Sequence, residues 1–202
     1  NSQNIGEKKK MNISKEIASV LCLSAIRKNS QVGILCYSDK KELFIQPKKG
    51  NSHAYRIIKE LYGLNNTSNK TNLNEMFKYF NSTIKKKSLV IIVSDFLDKN
   101  FKNTLKSLSN KHDVICIHVE DKNEKRIPNL GLIEIENNES NIKKWVNTSS
   151  SDFKQIKEKT FKYKENELQK FLKKINTNYL KISSDSDYVK DLIKLFKFRN
   201  NN

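Results

Sequence analysis

The chain repeats two hydrophobic patterns, one with the spacing of helices and one made of short, continuous apolar runs. Apolar residues that recur about every three or four positions predict helices. These helices are expected over about Met11–Arg27, Ser52–Tyr62, Asn72–Lys86, Phe101–Lys111, Ser151–Lys174 and Tyr188–Phe198. The apolar runs predict strands over Gln31–Ser38, Glu42–Gln46, Ser88–Val93, Asp113–Val119, Leu130–Glu136 and Tyr179–Ile182. Helices that alternate with buried strands indicate an α/β fold.

The run Ser88–Val93 predicts the layout of the sheet. Its sequence, SLVIIV, has no polar alternation, so both faces should be covered, which is typical of a central strand in a parallel sheet. The first two strands are joined by so short a turn that they must form an antiparallel hairpin, with Glu42–Gln46 at the edge. We therefore predict one Rossmann-like α/β domain over residues 1–202, with a mostly parallel sheet, helices on both faces and one antiparallel edge strand. Residues 151–202 should form a helix–strand–helix extension of that domain, and Trp145 should pack this tail onto the sheet.

The composition bears on where the protein works. No apolar run approaches the roughly 20 residues that a membrane helix needs, and no apolar stretch of the leader type precedes the first helix. Cys22, Cys36 and Cys116 are odd in number and far apart in apolar segments. We interpret them as buried thiols in a reducing compartment. We expect a cytoplasmic protein with no membrane segment in this chain.

The formal net charge of +17 raises the question of nucleic-acid binding, because clustered basic residues release counterions from a phosphate backbone. Only four of the 39 basic residues are Arg, however. Arg is the residue that recognises phosphates and bases in a bidentate manner. A solvated lysine surface is therefore favoured, and no specific nucleic acid is expected. A basic nucleic-acid-associated protein stays as the alternative interpretation.

Asp95 is a candidate site residue, because it directly follows the most apolar strand. Ligands of parallel sheets gather at the carboxyl ends of the strands. A helix cap or a turn aspartate is the other interpretation of this residue. The sequence contains neither GxGxxG nor GxxxxGKS/T, and His53, His112 and His118 do not stand beside a nucleophile in a known motif. These observations favour a binding protein over an enzyme.

Five segments of the chain resemble one bacterial family. They are QVGILCYSDKKELFIQPKKG, the Thr-Asn-Leu before the third helix, SLVIIVSDFLD, KHDVICIHVEDKNEKRIPNLGLIEI and ISSDSDYVKDLIKLFKF. The family is the domain of unknown function fifty-eight, a von Willebrand factor A-like group often encoded beside MoxR-type AAA+ ATPases and related to the Bat aerotolerance proteins. The resemblance covers nearly the whole chain. It implies a non-enzymatic module that binds a protein partner, a MoxR-type ATPase, in the assembly or maturation of a protein complex.

The resemblance also implies a metal-ion-dependent adhesion site, in which a D-x-S-x-S turn, a distant Thr and a distant Asp bind Mg²⁺ or another divalent cation. By motif, Ser2 would be the last serine of the turn, Thr71 the threonine ligand, and Asp95 the distal aspartate, which often acts through water. Hydroxyl, carboxylate and water oxygens suit such a hard cation. The leading Asp and the middle Ser of the turn would precede Asn1, so we expect a fragment that lacks the first strand of the fold. Asn72 stands where relatives tend to have Asp.

Overall fold

A computed structural model of the chain describes residues 2–64, 70–121, 131–137 and 142–200. Its helices are α1 (Ser2–Arg27), α2 (Asn51–Gly63), α3 (Leu73–Thr83), α4 (Lys102–Lys111), α5 (Ser151–Lys174) and α6 (Tyr188–Asn200). Its strands are β1 (Val32–Tyr37), β2 (Lys41–Lys48), β3 (Leu89–Ser94), β4 (Asp113–Glu120), β5 (Leu132–Asn137), β6 (Ile142–Asn147) and β7 (Asn178–Ser183). Among the described elements, helices and strands alternate except at the hairpins β1–β2 and β5–β6, between α2 and α3, and between β4 and β5.

The centre of the fold is a parallel sheet of three strands in the order β3–β4–β7. Successive side chains of the middle strand, β4, point to opposite faces. Ile115 and Ile117 pack on one face in a cluster with residues of α1 and α6. Val114 and Cys116 pack on the other face with residues of α3, α4 and α5. Helices thus cover both faces of a parallel sheet, which confirms the predicted α/β class.

β3 lies at an edge of this three-stranded sheet, so the prediction that Ser88–Val93 is central is wrong for the part of the chain that the structure describes. Val90 and Ile92 are buried on one face, and Ile91 and Val93 pack on the other. Helices supply this cover on both faces without a second neighbouring strand. An uninterrupted apolar run indicates that both faces are buried, but it carries no information on hydrogen bonding at the strand's edges.

Two antiparallel hairpins stand apart from the parallel sheet. β1 pairs with β2, which confirms the predicted hairpin, but the two strands form a sheet of their own, so the prediction that Glu42–Gln46 is an edge strand of the parallel sheet is wrong for the described residues. β5 pairs with β6, a strand that the sequence analysis missed, so the strand predicted at Leu130–Glu136 does not join the parallel sheet. Trp145 lies on β6 with 66% of its surface exposed, so the prediction that it packs the tail onto the sheet is also wrong. The exposed position is consistent with a two-stranded hairpin, which has no layer of its own to bury a large ring.

The helix boundaries show what the apolar period could and could not locate. α1 begins at Ser2, well before the predicted start at Met11. The prediction started late because the first turns of the helix are polar and carry no apolar period. Asn72, where the predicted third helix starts, is the N-cap of α3, since its side-chain oxygen accepts a hydrogen bond from the backbone N–H of Glu75 at 3.0 Å. The same helix ends at Thr83, three residues short of the predicted end at Lys86.

The C-terminal segment contributes directly to the central sheet. α5 has the predicted bounds, and β7, which follows it, pairs in parallel with β4. Arg199 near the end of α6 donates hydrogen bonds to Asn178 and Asp113. These two residues open β7 and β4, so the arginine ties the last helix to the amino-terminal end of the sheet.

Candidate metal site

A cavity of about 2270 Å³ runs between β1 and β3. Every residue of both strands lines it, and residues of α1 and α3 add to its walls. Among the described residues, β1 hydrogen-bonds in a sheet only with β2, and β3 only with β4. Each strand therefore turns its other edge towards the same cavity. Thr71 and Asp95, two of the residues that the motifs single out, both line this cavity.

Asp95 sits in a tight turn at the carboxyl end of β3. The backbone N–H of Phe96 donates to Ser94 Oγ at 3.1 Å, and the N–H of Leu97 donates to Asp95 Oδ1 at 3.3 Å. Phe96 has a φ of 51°, a left-handed conformation that is uncommon for a bulky residue. Such strain costs on the order of 1–3 kcal/mol and persists only where the surroundings enforce it. Here Phe96 is only 8% exposed and packs against the rings of Phe101 and His118.

The second carboxylate oxygen of Asp95 is bound by a lysine. Lys10 on α1 donates from Nζ to Asp95 Oδ2 at 2.9 Å. Its side chain is only 12% exposed, while that of Asp95 is 34% exposed. Both oxygens of Asp95 therefore already accept hydrogen bonds, one from the partly buried ammonium group of Lys10 and one from the backbone.

Thr71 is held where the ends of β1 and β3 come together. The N–H of its neighbour Asn72 donates to the carbonyl of Ser38, just beyond β1, at 2.9 Å. The N–H of Leu73 donates to Asp98 Oδ2, beyond β3, at 2.6 Å. Thr71 itself is exposed. The start of α3 thus fixes this threonine at the carboxyl edge of the fold, on the same cavity as Asp95.

Asp98 is the site residue that the sequence analysis did not single out. Its Oδ2 accepts from Leu73 and its Oδ1 accepts from the backbone N–H of Lys99 at 2.6 Å. The carboxylate therefore joins the end of β3 to the first turn of α3, across a separation of 25 residues. The signal was present in SDFLD, which places Asp98 three residues after Asp95, but no local pattern shows which distant N–H it binds.

Ser2 opens α1, and its side chain lies outside the described residues. Its assignment as a ligand stays a prediction, as do those of Thr71 and Asp95. Among the described residues, no group of three or more His, Cys, Asp and Glu has the arrangement of a metal site. A site of the adhesion type would use two hydroxyls and one carboxylate, so it would not appear as a group of three such residues. It has to be tested on Ser2, Thr71 and Asp95 themselves.

A second polar cluster lies on β4 and β7, beside the Asp95 turn. Lys181 forms ion pairs with Glu165 at 2.6 Å and with Glu120 at 3.2 Å. Burial by itself lowers the pKa of Lys181, but the hydrogen bonds that its ammonium group donates to these two carboxylates outweigh burial and leave the pKa above its usual value. The cluster is therefore a compensated charge network that joins α5 to the sheet.

His118 connects this cluster to the turn. One of its ring nitrogens, Nδ1, lies 2.7 Å from the Tyr179 hydroxyl. Burial lowers the pKa of His118, although nearby carboxylates, including Asp95, partly oppose this effect. Burial also raises the pKa of Tyr179 well above its usual value. The imidazole is thus kept neutral near pH 7 and packs edge-on against Phe96, where it supports the strained turn.

The cysteines do not supply a reactive thiolate near neutral pH. Burial raises the pKa of Cys116 to about 12 and that of Cys36 to about 11. Burial likewise raises the pKa of Cys22, and all three thiols are free. The thiolate is the nucleophilic form of cysteine, so these residues act as small apolar side chains.

The protein is of the α/β class, with a polar site at the carboxyl edge of a parallel sheet. The family model described as "Protein of unknown function DUF58" matches residues 1–167, and the chain belongs to this family. No curated protein and no solved structure matches the chain. Within the described ranges, none of the helices combines the length and the apolar character needed to cross a membrane.

Proposed function

We propose that the protein is a non-enzymatic interaction module of the von Willebrand factor A type, with a metal-ion-dependent adhesion site at Thr71 and Asp95. One observation carries the proposal: Thr71 directly precedes the segment that backbone N–H donors tie to the ends of both β1 and β3, and Asp95 follows β3 at that same end. The bond from Asn72 to Ser38 and the bond from Leu73 to Asp98 hold the two elements at that edge.

The chemistry of the site supports a divalent cation of the Mg²⁺ type. A carboxylate and a hydroxyl are oxygen ligands, and Mg²⁺ usually keeps several of its waters in addition to one or two protein carboxylates. Ser2 would add a second hydroxyl from the first turn of α1. A carboxylate from the partner would complete the coordination. Because Asp95 is the one carboxylate among the three proposed ligands, we expect weak binding of the cation in the absence of that partner.

The cavity between β1 and β3 supports the finer fold assignment, a sheet in which one more strand lies between these two. α1 and α3 line the cavity with apolar residues such as Leu21 and Phe77, so a strand there would be covered on both faces. A D-x-S-x-S turn at its carboxyl end would lie beside Thr71 and Asp95. In the chain as described, the backbone amides of β1 and β3 that face the cavity should exchange with deuterium faster than those paired to β2 and β4.

A MoxR-type AAA+ ATPase is the proposed partner, within a role in assembling or maturing a protein complex in the cytoplasm. The test is the affinity of the chain for the MoxR-type ATPase encoded by the same genome, measured by biolayer interferometry with Mg²⁺ and with EDTA. We expect binding that EDTA weakens and that Thr71→Ala and Asp95→Ala weaken by about tenfold each, as for loss of one ligand to a shared cation.

Two matched variants serve as controls for this test. Thr160→Ala and Asp152→Ala remove the same groups from exposed positions on α5, far along the chain from the cavity strands. They should leave the affinity unchanged. Binding that is equally strong in EDTA, or that Asp152→Ala weakens as much as Asp95→Ala does, would contradict a site centred on Asp95.

A further inference from the structure

We propose that Lys10 is a built-in competitor for the cation at Asp95, so that its ammonium group must leave before a divalent cation binds. This inference rests on the proposed metal site and adds a means of regulating it. The central observation is the 2.9 Å ion pair between Lys10 Nζ and Asp95 Oδ2, made by a lysine whose side chain is only 12% exposed.

Each oxygen of the Asp95 carboxylate already accepts one hydrogen bond, so a cation would have to share this carboxylate with both donors. Oδ2 accepts from Lys10 and Oδ1 accepts from the N–H of Leu97. Mg²⁺ binds directly at about 2.0–2.1 Å from its ligand oxygen, or through a bound water. In either position the divalent cation would stand within a few ångströms of the ammonium group, and two like charges so close repel one another. The two cations therefore exclude each other at this carboxylate.

The position of Lys10 is fixed by the helix that carries it. Ile13 and Ile17, one and two turns further along α1, are buried in the cluster beneath the sheet. The backbone of α1 is thus anchored, so separation of the ion pair would require movement of the long side chain of Lys10 rather than of the helix. Lys9, the preceding residue, shows the contrast: its side chain is 47% exposed, and its Nζ lies 4.0 Å from Asp185. Of these two adjacent lysines, Lys10 is the one turned inward to the site.

Competition has a consequence for how the site works. A cation alone gains little at Asp95, because it must displace an ion pair that is already made. A cation that arrives together with a partner's carboxylate gains an additional ligand, and the released ammonium can pair with that partner. The lysine thereby couples metal binding to partner binding and keeps the site closed to free cations.

The experiment compares cation binding by the unmodified chain with that of Lys10→Met and Lys10→Arg. Mg²⁺ is titrated by calorimetry, and bound Mn²⁺ is counted by electron paramagnetic resonance. Lys9→Met is the matched control, because it removes the same charge from the same helical turn. We expect Lys10→Met to bind Mg²⁺ about fivefold more tightly, the upper range for an ion pair of this exposure. Lys10→Arg and Lys9→Met should bind as the unmodified chain does.

Thermal unfolding gives a readout that does not depend on calorimetric heat. At the same Mg²⁺ concentration, the melting temperature of Lys10→Met should rise by more than that of Lys9→Met, because the stabilisation by a ligand grows with the logarithm of its affinity for the folded state. Circular dichroism shows whether each variant is folded, and Lys10→Gln serves as the second variant should Lys10→Met fold poorly.

Asp95→Asn is made both in the unmodified chain and in Lys10→Met. It separates failure of the competition from failure of the proposed metal site. If Asp95→Asn abolishes binding but Lys10→Met binds no more tightly than Lys9→Met, the competition is refuted and the metal site stands. If Asp95→Asn leaves binding unchanged, or if neither Lys10→Met nor Lys10→Gln binds a cation, both the competition and the metal site are refuted.

Discussion

The hydrogen bond between Asp98 and α3 offers a direct test of how the candidate site is held together. Asp98→Ala removes the acceptor for the N–H groups of Leu73 and Lys99. Loss of a side chain that binds the first turn of a helix costs roughly 0.5–2 kcal/mol, and a hydrogen bond to a charged group contributes about 1.5–3 kcal/mol. The carboxylate also interacts favourably with the positive end of the α3 dipole.

We expect Asp98→Ala to lower the free energy of unfolding by about 2 kcal/mol, since Asp98 is only partly buried and water replaces part of the lost interaction. Asp98→Asn keeps one oxygen acceptor and loses the charge, so it should cost about 1 kcal/mol. Asn72→Ala removes the other cap of the same helix and should also cost about 1 kcal/mol. The measurement is urea unfolding followed by circular dichroism, compared through the midpoint and the slope.

Asp152→Ala is the control, because Asp152 is exposed at the start of α5 and should change stability by less than about 0.5 kcal/mol. The same variants should be tested for partner binding, since Asp98 holds the segment that carries Thr71. An Asp98→Ala protein as stable as Asp152→Ala would show that the 2.6 Å contact with Leu73 does not stabilise α3. The account of how Thr71 is positioned would then be wrong.

Three further predictions concern the stability of the rest of the fold. Lys181→Met leaves Glu120 and Glu165 facing each other and should cost about 2 kcal/mol, less than the roughly 3–5 kcal/mol of a fully buried pair because Lys181 is 29% exposed. Lys78→Met breaks an exposed i,i+3 ion pair with Glu75 and should lower the free energy of unfolding by less than about 0.5 kcal/mol in the same urea assay. Equal losses in Lys181→Met and Lys78→Met would refute the argument that burial makes the Lys181 pairs matter more. Gly33→Ala places a Cβ 2.7 Å from the Ile45 carbonyl and should destabilise the hairpin by about 1–3 kcal/mol, whereas Gly63→Ala, with open space around it, should be neutral or slightly stabilising. Burial lowers the pKa of His112 below its usual 6.5, so the unfolded state binds the proton more readily and stability should fall as pH drops below 6.5. Urea midpoints measured between pH 5 and pH 7.5 should therefore vary less in His112→Phe than in the unmodified chain. An identical pH dependence of the two proteins would contradict this.

The sequence predicted which side chains are buried better than it predicted which strands pair with each other. The apolar period located five of the helices within a few residues, and the alternation of helices with apolar runs indicated a parallel sheet covered on both sides. It could not place β3 within the sheet, because side-chain burial and backbone pairing are separate properties of a strand. It missed β6 because two lysines of IKKWVN interrupt the apolar pattern of a strand whose Trp145 is exposed. It also missed the polar first turns of α1, which are helical without an apolar stripe.

The sequence likewise predicted some residues of the candidate site and missed others. Thr71 and Asp95 were singled out by motif, and the structure places both on one cavity. The two groups that hold and occupy this site, Asp98 and Lys10, were not predicted. Their contacts span 25 and 85 residues, and no periodicity or local spacing indicates which distant partner a charged side chain will reach. Long-range polar contacts of this kind follow from the packing of the whole fold.

Paramagnetic broadening by Mn²⁺ in an NMR spectrum of the ¹⁵N-labelled chain tests most directly whether Thr71 and Asp95 form one cation site. The method detects weak binding, and it reports where the ion sits. We predict that the amide signals of residues 71–73 and 95–97 broaden first, that Mg²⁺ reverses the broadening, and that Asp95→Asn removes it. Broadening that begins elsewhere, for example around Asp185 and Asp187, or that persists in Asp95→Asn, would contradict the site and the function proposed for it.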